Sequence, residues 1–155
     1  MSQAIAFSEH GSLKSWCQAM KRFHQLFGIT AVIVFLLTGQ YMDKYLGHLQ
    51  GMPDGPRMLY RSRHIYILLA GLLNIGIGAY FTYHVERWRR VLQLLGSGLI
   101  VFATCLFVAA FFYEPKLSGL VTPISQRSIF LISYGTLFHL FSGLRRRKRA
   151  SDPGL

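Results

Sequence analysis

Four histidines stand beside small residues in apolar sequence. An imidazole in such a setting can coordinate haem iron, while the small neighbours let a flat macrocycle lie against the helix. His139 has Gly135 four residues before it and Gly143 four after, so one helical stripe would read Gly, His, Gly. His24 is followed by Gly28 and Ala31, and His64 by Gly71 and Gly78. His24 and His139 are expected at the same end of their helices, where they could ligate one b-type haem from opposite faces, with His84 as the substitute for either. A second constellation offers different chemistry. Arg57, Arg61 and His64 recur at spacings of four and three, with Arg63 close by. The planar guanidinium holds carboxylate or phosphate through two parallel hydrogen bonds, so this face is a candidate for a lipid headgroup, a carboxylated small molecule or haem propionates. Asp43, His48 and Glu114 could complete or neutralise it. Each pattern also has a bland reading. Gly is frequent in membrane helices, His24 and His84 stand near a water boundary, and an embedded His can simply hydrogen-bond across helices.

The elements that must position these residues are four apolar runs, 23–41, 65–83, 91–113 and 129–144, each bounded by Arg, Lys or a turn cluster. About 20 mostly apolar residues cross a bilayer as a helix. The chain is therefore expected to be an all-α integral membrane protein, a four-transmembrane-helix antiparallel bundle. Residues 1–155 form a single membrane domain with spans at 23–41, 60–83, 91–113 and 129–144, an N-terminal cytoplasmic or interfacial segment at 1–20 and a basic tail at 146–155. The composition agrees, with 52% hydrophobic residues in a 155-residue chain.

A net charge of +11 on so apolar a chain is concentrated at the ends of the runs. Lys14, Lys21, Arg22, Arg87, Arg89, Arg90 and the cluster Arg145, Arg146, Arg147, Lys148 and Arg149 fall on one side. Lys44, Arg57, Arg61, Arg63, Lys116 and Arg127 fall on the other. Cytoplasmic flanks carry the excess of Lys and Arg, so both termini are expected inside, in a multi-pass protein of a bacterial inner membrane. A basic cluster just beyond a span is drawn to anionic lipid headgroups, and a nucleic-acid partner is not expected. Cys17 and Cys105 lie at different depths and form no Cys-x-x-Cys pair, which speaks against thiol exchange.

The first ten residues are polar and mixed, unlike a cleavable signal, so the first span is expected to remain. Leu13, Trp16, Cys17 and Met20 at helical spacing could lie on the inner surface or lengthen the first helix. The connection around Pro53-Asp54-Gly55-Pro56 is the longest loop, 84–90 is a tight hairpin, and 114–128 returns across the outer surface with Pro115, Gly119 and Pro123. Small residues mark where embedded helices approach: Ala70, Asn74 and Gly78 on the second run with Gly71 beside them, and Gly96, Gly98 and Ala103 on the third. Asn74, an amide deep in apolar sequence, is expected to face another helix.

In size and span number, with His24, His64, His84 and His139 beside small residues, the chain resembles the bacterial b-type membrane cytochromes with a four-helix haem-binding core. That resemblance implies haem b and electron transfer to or from quinone. The Arg-rich start of the second run, Arg57, Arg61, Arg63 and His64, resembles the membrane-associated eicosanoid and glutathione metabolism family, although Ile65, Tyr66, Ile67 and Leu68 stand where that family carries Asn and Glu. The resemblance implies a thiol transferase. Three functional classes follow. The leading one is a non-catalytic accessory or assembly subunit, with other membrane subunits or further copies of itself as partners. The others are a haem-binding cytochrome, and an enzyme or carrier of an anionic amphiphile at the Arg/His face.

Overall fold

The computed structural model describes residues 2–82, 86–117 and 122–144. Four long helices follow the four apolar runs: α1 (Ser2–Lys44), α2 (Asp54–Tyr80), α3 (Arg87–Tyr113) and α4 (Pro123–Gly143). No strand occurs among the described residues. Three stretches, Ser15–Lys44, Asp54–Tyr80 and Arg87–Lys116, are long and apolar enough to cross a membrane. α4 has 21 residues, and Ser125, Gln126, Arg127, Tyr134, Thr136 and His139 dilute its apolar character.

The helix starts differ from the sequence expectation for local reasons. α1 runs unbroken from Ser2, so the stretch around Trp16 lengthens the first helix rather than forming a separate surface segment. α2 begins at Asp54, well before residue 60. The Asp54 carboxylate suits the positive end of the helix dipole, and Pro56 falls in the first turn, where its missing N–H has no intrahelical partner to lose. α4 begins at Pro123 rather than near 129, again with Pro at the start. Thr122 supplies no side-chain cap there. Glu114 does so from across the preceding loop: its Oε1 accepts from the backbone N–H groups of Ile124 and Ser125, each at 2.8 Å. Those are among the donors that a helix start leaves without partners.

α1 packs along α2 and α3 along α4, and α2 against α3 joins the two pairs. Glycines set how closely they approach. A Cβ on Gly28 would stand 2.7 Å from the Gly71 carbonyl oxygen, and one on Gly135 2.8 Å from the Gly96 carbonyl oxygen. Gly98 and Gly143, also expected to line interfaces or the His139 stripe, face open space.

The interior has two characters. At the end formed by the α1–α2 loop, Leu49, Tyr60, Ile67, Ala70, Phe107 and Phe111 make an apolar cluster. Towards the other end, the fully buried side chains include His24, Asn74 and Thr104. The outward faces carry exposed Leu26, Ile33, Leu37, Leu69, Leu95 and Phe102, an apolar exterior larger than soluble monomers present.

Candidate functional site

His24, Asn74, Ser97 and Thr104, all buried, join with His139 into one chain of hydrogen bonds through all four helices, and its ends fix its direction. Thr104 Oγ1 donates to the Ile100 carbonyl at 2.8 Å, so towards Asn74 it accepts. Asn74 Nδ2 donates to Thr104 Oγ1 at 3.1 Å and to the Ala70 carbonyl at 2.9 Å, which turns its Oδ1 to His24. An amide oxygen can only accept, so His24 Nδ1, 2.9 Å away, carries the proton. In the neutral ring Nε2 is then a lone pair, and Ser97 Oγ donates to it at 2.8 Å. With its proton so directed, Ser97 accepts from His139 Nε2–H at 3.1 Å. The sequence therefore runs His139, Ser97, His24, Asn74, Thr104 and ends on backbone carbonyls.

Two consequences for chemistry follow. The link through Asn74 is an amide, which does not hand protons on as a hydroxyl or imidazole does, so the network makes no proton path across the bundle. The network also bears on haem. His24 and His139 do come together, with ring centroids 6.3 Å apart and planes at 86°. The space between them is occupied: Ser97 Oγ bonds both Nε2 atoms, and a Cβ added to Gly96 would meet His139 at 2.9 Å. The small neighbours read as a cradle, Gly28 and Gly135, are filled by α2 and α3 respectively. These residues do not fit a macrocycle between the two rings. His84 lies outside the described residues.

His64 packs against α1. Its ring stacks on Phe35 of α1 with centroids 4.0 Å apart. Thr38 Oγ1 donates to the Phe35 carbonyl at 2.8 Å and so accepts from His64 Nδ1 at 2.9 Å. Gly39 leaves the room, since a Cβ there would stand 3.3 Å from the imidazole.

The expected Arg57, Arg61, Arg63 and His64 face is divided by the helix turn. Arg63 points inward and is buried, its Nε 2.7 Å from Glu114 Oε2. Ser125 Oγ donates to the same carboxylate oxygen. Residue 63 sits two positions from 61 and one from 64, so it cannot share their side of a helix. Arg57 pairs with Asp54 on the surface. Arg61 alone of the four has no partner among the described residues, and it borders a cleft with Gly39, Gln40, Asp43 and His48. Glu114 neutralises an arginine as expected, but an internal one; Asp43 and His48 pair with each other at 2.6 Å.

Sequence reasoning missed Thr38, Ser97 and Thr104. Ser97 and Thr104 lie seven residues apart, on one helical stripe of an otherwise apolar run, and that spacing was the available signal. No group of three or more His, Cys, Asp or Glu able to hold a metal occurs among the described residues. Comparisons with protein families, curated proteins and solved structures gave no match, so the chemistry rests on these residues alone.

Proposed function

We propose that the chain is an all-α integral membrane protein of a bacterial inner membrane. In this reading all four helices cross the bilayer with both termini cytoplasmic, and the protein acts as a non-catalytic accessory or assembly subunit of a membrane complex. One observation carries the functional part: the polar side chains inside the bundle are engaged with one another and with backbone, from His139 to Thr104 and from Arg63 to Ser125. Groups held in this way fix helices beside each other. The apolar exterior, with Trp88, Phe141 and Leu144 exposed near one end of α3 and α4, supports burial against lipid or a neighbouring subunit. The topology rests on the charge excess at 14–22, 87–90 and 145–149.

Gentle-detergent extraction from native membranes tests the role. A particle larger than the monomer, holding a partner at fixed stoichiometry whose abundance falls when this chain is deleted, is the expected result. A monodisperse monomer, with no membrane complex altered by the deletion, overturns it. Residue-specific labelling of a cysteine placed at Gly51 is expected from the outside only. The same purified material should show no Soret band, with or without added haem. A red preparation whose Soret band disappears in His139→Ala restores the cytochrome.

A further inference from the structure

The open cleft at the α1–α2 end contains both signs of charge. Arg61 on α2 stands across it from Asp43 and Gln40 on α1 and His48 in the loop. His48 is not there by chance of a mobile loop. Gly47, His48 and Leu49 all adopt positive φ, 53°, 56° and 63°, conformations that disfavour side chains with a Cβ. Leu49 is 3% exposed within the apolar cluster and fastens this turn to the bundle. The turn hydrogen bonds from Leu49 N to the Leu46 carbonyl at 2.8 Å and from Gln50 N to the Gly47 carbonyl at 3.0 Å close it further. The strained turn thus delivers the imidazole to Asp43 at 2.6 Å.

Below the cleft the two helices turn apolar on the same side. From Arg61 the stripe down α2 passes through Ile65, Leu68 and Leu72 at spacings of four, three and four; from Asp43 that down α1 passes through Leu36 and Val32. Leu36, Ile65 and Leu72 are more than half exposed. At Gly39 and Gly71 the two helices approach closely. A polar cleft with a cation and an anion, above an open apolar seam, matches an amphiphile whose head is a zwitterion.

We propose that this cleft binds a phospholipid with a primary-amine headgroup, its phosphodiester on Arg61 and its ammonium on Asp43, with an acyl chain along the α1–α2 seam. Charge complementarity selects this occupant. A purely anionic head would leave the Asp43 carboxylate facing negative charge, whereas a phosphodiester with an amine a few atoms away satisfies both walls. Arg61 supplies the paired donors that a phosphate oxygen pair accepts. The inference rests on membrane insertion as proposed above, and the two fail differently: loss of insertion removes the protein from the membrane fraction, whereas loss of this site leaves it there.

Reconstitution of the full chain into nanodiscs of phosphatidylcholine, phosphatidylethanolamine and phosphatidylglycerol in equal parts, followed by detergent release and native mass spectrometry, tests it. Wild type is expected to retain phosphatidylethanolamine above its bilayer share. Arg61→Gln is expected to lose that retention about tenfold, in keeping with a charge-assisted hydrogen bond. Asp43→Asn is expected to shift preference towards phosphatidylglycerol. Arg57→Gln removes the same charge outside the cleft and should leave retention unchanged. Equal retention by wild type and Arg61→Gln, or equal loss in Arg57→Gln, overturns the site. Inorganic phosphate that displaces the lipid at millimolar concentration assigns the cleft to a soluble phosphate and overturns the lipid.

Discussion

Ser97→Ala isolates the centre of the polar chain. The substitution deletes one oxygen that donates to His24 Nε2 at 2.8 Å and accepts from His139 Nε2 at 3.1 Å. It leaves the buried His24 acceptor and the half-buried His139 donor without their shared partner, with ring centroids still 6.3 Å apart, so neither reaches the other without movement of a helix. Hydrogen bonds between membrane helices contribute about 0.6 kcal/mol on average and up to roughly 2 kcal/mol. Two such bonds lost predict a cost of about 1–3 kcal/mol. For a chain of this size each kcal/mol lowers Tm by about 2–4 °C, so a fall of roughly 2–12 °C in detergent is expected. His139→Phe removes the orphaned donor, and in that background Ser97→Ala should cost less than it does alone, a coupling that a mere packing role for Ser97 does not generate. Nitrogen-15 NMR of labelled histidines reads the same argument directly: the neutral His24 ring should carry its proton on Nδ1 and His139 on Nε2. A Ser97→Ala protein with unchanged Tm, or a His24 ring protonated on Nε2 alone, refutes the assigned direction of the network.

Two further outcomes follow from the packing. Glu114→Ala leaves the buried Arg63 guanidinium without its anion and uncaps α4; breaking one side of a buried pair costs about 3–5 kcal/mol, and the double variant with Arg63→Met should recover part of the lost thermal stability. Gly135→Ala places a methyl 2.6 Å from Ile100 and 2.8 Å from the Gly96 carbonyl, while Gly143→Ala meets nothing within 4 Å, so the first should lower Tm by several degrees and the second should leave it unchanged.

The apolar runs and their charged flanks made the helices legible, because hydropathy and turn residues act locally. Asn74 was legible for the same reason, as a costly amide in apolar sequence that had to face a helix. Its actual partners were not, since they sit 50 residues back at His24 and 30 ahead at Thr104. Spacing put Arg57, Arg61 and His64 on one helical face with Arg63 close by. It could not reveal that Arg63, next to His64, is drawn inward by a carboxylate 51 positions away. The glycines near His24 and His139 were read as room for a cofactor, whereas Gly28 and Gly135 are filled by the backbones of neighbouring helices. A small residue signals close approach, and only the packed partner tells what approaches.

Buried polar clusters at both ends of the interior have a physical rationale in a bilayer. Lipid tails are as apolar as Leu and Phe, so apolar contacts alone discriminate weakly between one helix pairing and another. Directional bonds discriminate strongly. His24 is satisfied only when α2 offers Asn74 and α3 offers Ser97 at the same level, and Ser97 in turn only when α4 offers His139. At the opposite end Arg63, Glu114 and Ser125 impose the matching condition on α2, α3 and α4. A sliding error of one turn, about 5.4 Å, breaks the bonds at both ends together. The two polar clusters therefore set which helices adjoin and at what height, while the glycine contacts set how closely. A bundle fixed in this way keeps the exposed apolar stripes of α1 and α2 and the aromatic edge of α3 and α4 in constant relation.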